Sequence, residues 1–132
     1  MSLRGKVVKR GSARIEVWLH NSNLIRIEGV MREMGVGDWM LPLIDEIHTT
    51  ARVERLAEVV LDIRDLEYAN AAVWRCLVHW VKRVRQQDDA AYKLRVVSNP
   101  GCSWQRIGVP SLRAFSMDGS GAERLILESN GA

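Results

Sequence analysis

Two short, largely apolar runs separated by a long amphipathic segment constrain this chain more than any other feature. The first, Ala57-Glu58-Val59-Val60-Leu61-Asp62-Ile63, is nearly continuous and rich in β-branched side chains. The second, Lys93-Leu94-Arg95-Val96-Val97-Ser98, closes on the turn residues Asn99-Pro100-Gly101. The first run predicts a strand buried on both faces of a sheet covered by helices. Between the two runs, Trp74, Leu77, Val78, Val81 and Val84 recur at helical spacing from Ala71 to Gln87. Arg75, Lys82, Arg83 and Gln86 fall on the opposite face, which puts Trp80 at the rim between them. Asn70 is a good N-cap, and Lys82, Arg83 and Arg85 complement the partial negative charge of the helix C-terminus. A strand, a helix and a second strand in this order predict a parallel pair joined by a right-handed crossover.

The flanks extend the same pattern. Ala13 to Leu19 alternates, with Ile15, Val17 and Leu19 on one face, and Leu24 to Gly29 follows with Ile25 and Ile27. His20-Asn21-Ser22-Asn23 supplies turn chemistry between them, so a hairpin is expected. A helix should start after Gly35-Val36-Gly37 with Asp38 as its N-cap, Pro42 tolerated in the first turn, and Leu41, Ile44, Ile47 and His48 facing inward. Ser103 to Phe115 reads as a weaker helix interrupted by Gly108 and Pro110, or as two helical turns broken at Pro110. Glu123 to Glu128 can form a last strand. The order β-β-α-β-α-β-α-β calls for an α/β fold: a mixed sheet of about five strands packed with three to four helices.

Composition excludes several classes. The 132 residues, 47% hydrophobic and 27% charged, suit a single folded domain rather than a disordered chain. No apolar run reaches the length that spans a bilayer and no apolar stretch follows the first residues, so a cytoplasmic protein without a membrane is expected. Cys76 and Cys102 are too few for a disulfide scaffold, and they read as reduced thiols. His20, His48 and His79 lack metal-ligand spacing; neither a metal nor a cofactor is expected. The net charge of +3 owes much to Arg4, Lys6, Lys9, Arg10 and Arg14. Residues 1–12 therefore read as a basic N-terminal arm ahead of a single domain over 13–132. Such an arm can neutralise phosphates, but without interleaved aromatics it fits a frayed terminus better, and nucleic acid is not the expected partner. Five tryptophans are many for this length. Trp74 fits the core stripe, and at least one of the others is a candidate anchor for a partner.

The segment Val59 to Leu77 resembles the signature of STAS (anti-sigma-factor-antagonist) domains. In that family an apolar strand runs through an acidic-apolar loop and an aromatic residue into Asp-Ser-Ser-Gly, which opens a helix. Here the corresponding residues are Tyr68, then Asn70-Ala71-Ala72-Val73. The likeness of element order extends over residues 13 to 128, whereas all four signature positions are substituted.

The resemblance implies a non-catalytic module of a bacterial partner-switching pathway. Its partner would be an anti-sigma factor or related regulator with a GHKL-type ATP-binding kinase fold. It further implies that docking involves Tyr68, Asn70, Ala71, Ala72 and Arg75. In phosphorylated members the first serine is the switch, and Ala71 offers no hydroxyl there. Ser98 or Ser103, expected close to the same loop, are the candidate replacements. Asn70-Ala71-Ala72-Val73 can equally be a plain helix start with no further role. A small-molecule or nucleotide sensor is the alternative, and it requires an open pocket between loops 64–70 and 98–104. No catalytic elbow, Walker loop or dinucleotide fingerprint is present. Asp62 and Asp65 around Arg64 are expected to be structural, and Gly35-Val36-Gly37 is too short to cradle a phosphate, so enzyme activity is not expected. Neither the oligomeric state nor the input signal is written in the sequence.

Overall fold

A computed structural model describes residues 5–19, 22–85, 92–116 and 124–129. The strands are β1 (Lys6–Arg10), β2 (Ala13–Trp18), β3 (Leu24–Met31), β4 (Glu58–Asp62), β5 (Leu66–Ala69), β6 (Lys93–Ser98) and β7 (Leu125–Ser129). The helices are α1 (Gly37–Val53), α2 (Ala71–Arg85), α3 (Ser103–Gly108) and α4 (Arg113–Ser116), with a 3-10 turn at Val109–Leu112 between the last two. His20, the end of the expected helix beyond Arg85, and Glu123 lie outside the described residues.

The fold class is α/β, as expected, but the sheet has seven strands in the order β1-β2-β3-β4-β6-β7, with β5 paired to β3 off that path. The first three strands are antiparallel neighbours, while β3–β4, β4–β6 and β6–β7 are parallel. The two extra strands correct the sequence reading. Residues 6–10 are not a loose arm: they pair with β2 from Lys6↔Val17 to Arg10↔Ala13. The segment after β4 is not merely a connection, because Leu66, Tyr68 and Ala69 pair with Gly29, Val30 and Met31. Strand β3 thus serves β4 with its first half and β5 with its second. The change of partner falls between Arg26 and Gly29, and the β5 register shifts just beyond it, between Gly29 and Val30. Gly29 has φ +95°, and a Cβ there would meet the Ser12 carbonyl oxygen at 2.1 Å, so only glycine fits.

One core joins the sheet to the helices. Ile15, Val17, Ile25, Ile27, Val59, Leu61, Leu94 and Val96 pack with Ile44, Ile47, Leu77 and Val81. The expectation that β4 is buried on both faces is corrected: Glu58 and Val60 are only half-buried. Their side of the sheet carries ion pairs instead, with Arg95 bridging Glu58 and Glu128, and Arg26 meeting Glu28 at 3.5 Å. The long side chains of this ladder shield the apolar residues between them, which is why an apolar run is tolerated there.

The inner stripe of α2 is Val73, Cys76, Leu77, Trp80, Val81 and Val84. It is rotated from the predicted one, so two tryptophans exchange roles. Trp80 is fully buried, and Trp74 lies half-buried against Gly108. The reason is chemical: Trp80 Nε1 donates to Tyr92 Oη at 2.8 Å, giving its one polar atom a partner inside the core. Tyr92 Oη also lies 2.8 Å from His48 Nδ1. Tyr92 Oη thus joins the Trp80 indole and the His48 ring in one buried polar chain.

Two details of α1 also differ from expectation. Its N-cap is Val36, without a side-chain cap bond, and Asp38 sits inside the first turn. Starting at Gly37 places Pro42 beyond that turn, where it removes the amide that would bond the Asp38 carbonyl. Pro42 is exposed, so water can solvate that carbonyl.

Candidate functional site

The parallel strands β4 and β6 end together, and the loops leaving them meet at the carboxyl edge of the sheet, where α/β folds usually bind ligands. The predicted meeting of loops 64–70 and 98–104 is observed, but it is a filled seam. Gln105, 1% exposed, donates from Nε2 to the carbonyls of Ile63 at 2.6 Å and Leu66 at 2.9 Å. Its Oε1 accepts from the Asn99 amide at 2.8 Å. Trp104 Nε1 donates to the same Leu66 carbonyl at 3.0 Å, and Cys102 Sγ lies 3.5 Å from the Glu67 carbonyl. One glutamine therefore bonds three backbone groups of two loops. Among the described residues no open pocket lies between the two loops, where a sensor at this crevice would need one. A cleft of about 260 Å³ does lie beyond the seam, between Ser98, Pro100, Arg106, Pro110 and Ser129.

Asp62 and Arg64 complete this edge. The Asp62 carboxylate accepts from the Arg64 amide and Nε at 3.0 Å and from Nη2 at 2.9 Å. Burial opposes ionisation of Asp62, but the Arg64 hydrogen bonds outweigh it and hold the carboxyl below its usual range. Arg26 reaches Asp65 at 2.5 Å. These carboxylates are occupied by guanidinium groups, as a structural role requires. Among the described residues, no cluster of three or more His, Cys, Asp or Glu residues is arranged to hold a metal.

The start of α2 is the other half of the edge. Asn70 Oδ1 accepts from the Val73 amide at 3.0 Å, the predicted N-cap. Asn70 does more than cap. Its amide donates to the Met31 carbonyl at 3.0 Å and its Nδ2 to the Glu33 carbonyl at 3.1 Å, tying α2 to the end of β3. Around this fixed point Tyr68, Ala71 and Arg75 are exposed and Ala72 is half-buried. Met34, in the loop that Asn70 holds, is 96% exposed. The Arg32 guanidinium stands 6.0 Å from the centre of the Tyr68 ring.

The two candidate modification sites separate. Ser98 is 5% exposed at the end of β6, closed to a modifying enzyme in the folded chain. Ser103 is exposed as the first residue of α3. Cys76 is buried beneath Arg75, and burial pushes its thiol up, which opposes reactivity. Sequence reasoning missed Gln105 and Tyr92. A buried glutamine in a weak helix, and a tyrosine just ahead of a strand, carry no signal until the groups they bond are known.

The elements and this edge together define a small α/β domain with a two-layer core and an exposed, fixed helix start. Comparison with protein-family models, curated proteins and solved structures finds no match to the chain. No helix among the described residues is long and apolar enough to cross a membrane.

Proposed function

We propose that this chain is a non-catalytic protein-binding module that docks a partner on the β5–α2 corner. The observation that carries this reading is the arrangement around Asn70. A helix start is locked by bonds to both Met31 and Glu33, while Tyr68, Ala71, Arg75 and Met34 are exposed around it. A rigid platform bearing an aromatic, an arginine and a methionine suits recognition, since those side chains supply much of the energy of protein interfaces. The seam filled by Gln105 argues against a ligand pocket at the same edge.

The partner we propose, from the resemblance of residues 59–77 to the STAS signature, is a regulator with an ATP-binding kinase fold. Ala71 cannot be phosphorylated, so docking is constitutive with respect to that position. Titration of purified regulators of this class from the same genome against the chain tests the reading. Ala71→Asp puts a negative charge and extra bulk on the platform and should weaken binding at least tenfold. Ala71→Ser should bind as the parent does. A regulator bound equally by the parent and by Ala71→Asp would place docking elsewhere, and no binding by any regulator of the class would remove the proposed partner.

A further inference from the structure

A second concavity lies beside this platform, between the start of α1 and the inner edge of α2. It encloses about 360 Å³ and is lined by Gly35, Val36, Gly37 and Leu41 on one side and Ala72, Arg75, Cys76 and His79 on the other. That volume falls within the range of small-ligand sites. Its two halves differ in chemistry. Val36 and Cys76, 1% and 2% exposed, form an apolar floor with Leu41 and Ala72. The rim is polar: Arg75 has no ion-pair partner among the described residues, and His79 Nε2 is held 3.1 Å from Asp45. The Arg75 charge is felt at the Cys76 thiol, which it pulls down against the effect of burial.

Glycine keeps the α1 wall open. A Cβ on Gly37 would meet only Leu41 Cδ1, at 3.7 Å, so the backbone rather than a side chain borders the space. Asp38 lies next to this wall rather than in its lining, with Oδ2 3.3 Å from where a Cβ on Gly35 would lie. A carboxylate there repels a doubly charged phosphate more than a monoanion. An unpaired guanidinium above an apolar floor selects a single carboxylate attached to a compact hydrocarbon body.

We propose that this cleft binds a small branched or cyclic monocarboxylate, its carboxylate on Arg75 and its apolar body against Val36, Leu41, Ala72 and Cys76. The cleft shares Arg75 and Ala72 with the docking platform, but the proposal concerns the isolated chain and is tested without a partner. The probes are 4-methylpentanoate, the uncharged 4-methylpentan-1-ol and inorganic phosphate, each titrated into the full chain while backbone amide resonances are followed. The carboxylate should shift amides of residues 35–41 and 72–79, and should bind about tenfold more tightly than the alcohol, the usual worth of one charge-assisted hydrogen bond. Arg75→Gln should bring it to the level of the alcohol. Ala72→Leu should abolish both by filling the floor, and Gly37→Ala, a milder filling that leaves α1 intact, should weaken both. Equal affinity for acid and alcohol, phosphate binding as well as the carboxylate, or shifts mapping outside these segments would overturn the assignment. So would silence toward all three probes at tens of millimolar, which would leave the cleft to a protein side chain.

Discussion

Two concave regions flank the start of α2, and they solve the same problem in opposite ways. On the α3 side, Gln105, Trp104 and Cys102 reach across to the backbone of Ile63, Leu66 and Glu67, and the crevice is gone. On the α1 side, Gly35-Val36-Gly37 brings backbone but almost no side chain, and a cleft of about 360 Å³ remains. Side chains that bond main-chain groups convert a loop crossing into structure, whereas glycines at a helix start leave room. Stability should therefore be concentrated at the seam, and tolerance to change at the cleft.

The largest expected effect breaks the seam. Gln105→Leu keeps an apolar body but leaves the Asn99 amide without its bond, while the Ile63 carbonyl retains the Leu66 amide and the Leu66 carbonyl retains Trp104. One unsatisfied, partly buried amide together with the lost bonds to two carbonyls costs about 2 kcal/mol, read as a lower urea midpoint at constant m-value. Gln105→Glu is nearly isosteric and should be at least as damaging when ionised, because it sets a negatively charged acceptor against two carbonyl oxygens. A loss below about 0.5 kcal/mol in either variant, the range of ordinary surface changes, would mean that the seam is held by something other than Gln105.

The seam and the helix pair should also part company in acid. The seam is held by a carboxamide, an indole and a thiol bonded to backbone, whereas α1 carries buried His48. Burial, then the charges of Arg83 and Arg52, push His48 from its ordinary 6.5 to about 4, against the opposing pull of Asp45. The unfolded chain thus binds a proton between pH 6.5 and 4 that the folded chain does not. Stability from this group is complete above pH 6.5, declines as pH falls, and levels off below about 4. The total is roughly 3 kcal/mol at most. Asp62, whose pKa is depressed, loses its contribution only at lower pH, so the windows are distinct. Urea midpoints at pH 7 and pH 4.5 should differ in the parent and converge in His48→Gln. Amide exchange should accelerate along α1 and α2 before it does at Leu66 and Asn99. Equal pH slopes in parent and variant would remove His48 as the cause.

The contrast also explains what could be read from the sequence. Strands β2, β3, β4 and β6 and the capped helix α2 announce themselves because their apolar periodicity is local. The Asn70 cap was legible for the same reason, since cap and capped amide lie three residues apart. Strands β1 and β5 were not legible: Lys6-Val7-Val8-Lys9-Arg10 is too basic to suggest a strand, and Leu66-Glu67-Tyr68-Ala69 is too short. Both exist because a neighbour supplies the register, β2 for one and the second half of β3 for the other. The buried stripe of α2 lies a fraction of a turn from the expected one, because the partner that draws Trp80 inward is Tyr92, twelve residues away. Of the candidate site, the platform residues were visible through their likeness to a known motif. The seam and the cleft depend on contacts between segments more than thirty residues apart and left no trace in either one alone.

The smallest expected effect lies at the cleft and has the opposite sign from the seam. Gly37 is the first residue of α1, its φ lies outside the left-handed range, and a methyl there would touch only Leu41. Alanine loses less backbone entropy than glycine on entering a helix. Gly37→Ala should therefore raise stability by about 0.5 kcal/mol, within the gain usual for this exchange where the backbone permits it. A thermal midpoint about 2 °C higher would register it. The same substitution narrows the cleft, so stability gained should accompany affinity lost for 4-methylpentanoate. A region that exists only to close the fold would gain from the methyl without any loss. Both changes together identify an opening kept at the expense of stability, while a stability gain with unchanged binding would make Gly37 an ordinary helix start and the cleft a product of loose packing between α1 and α2.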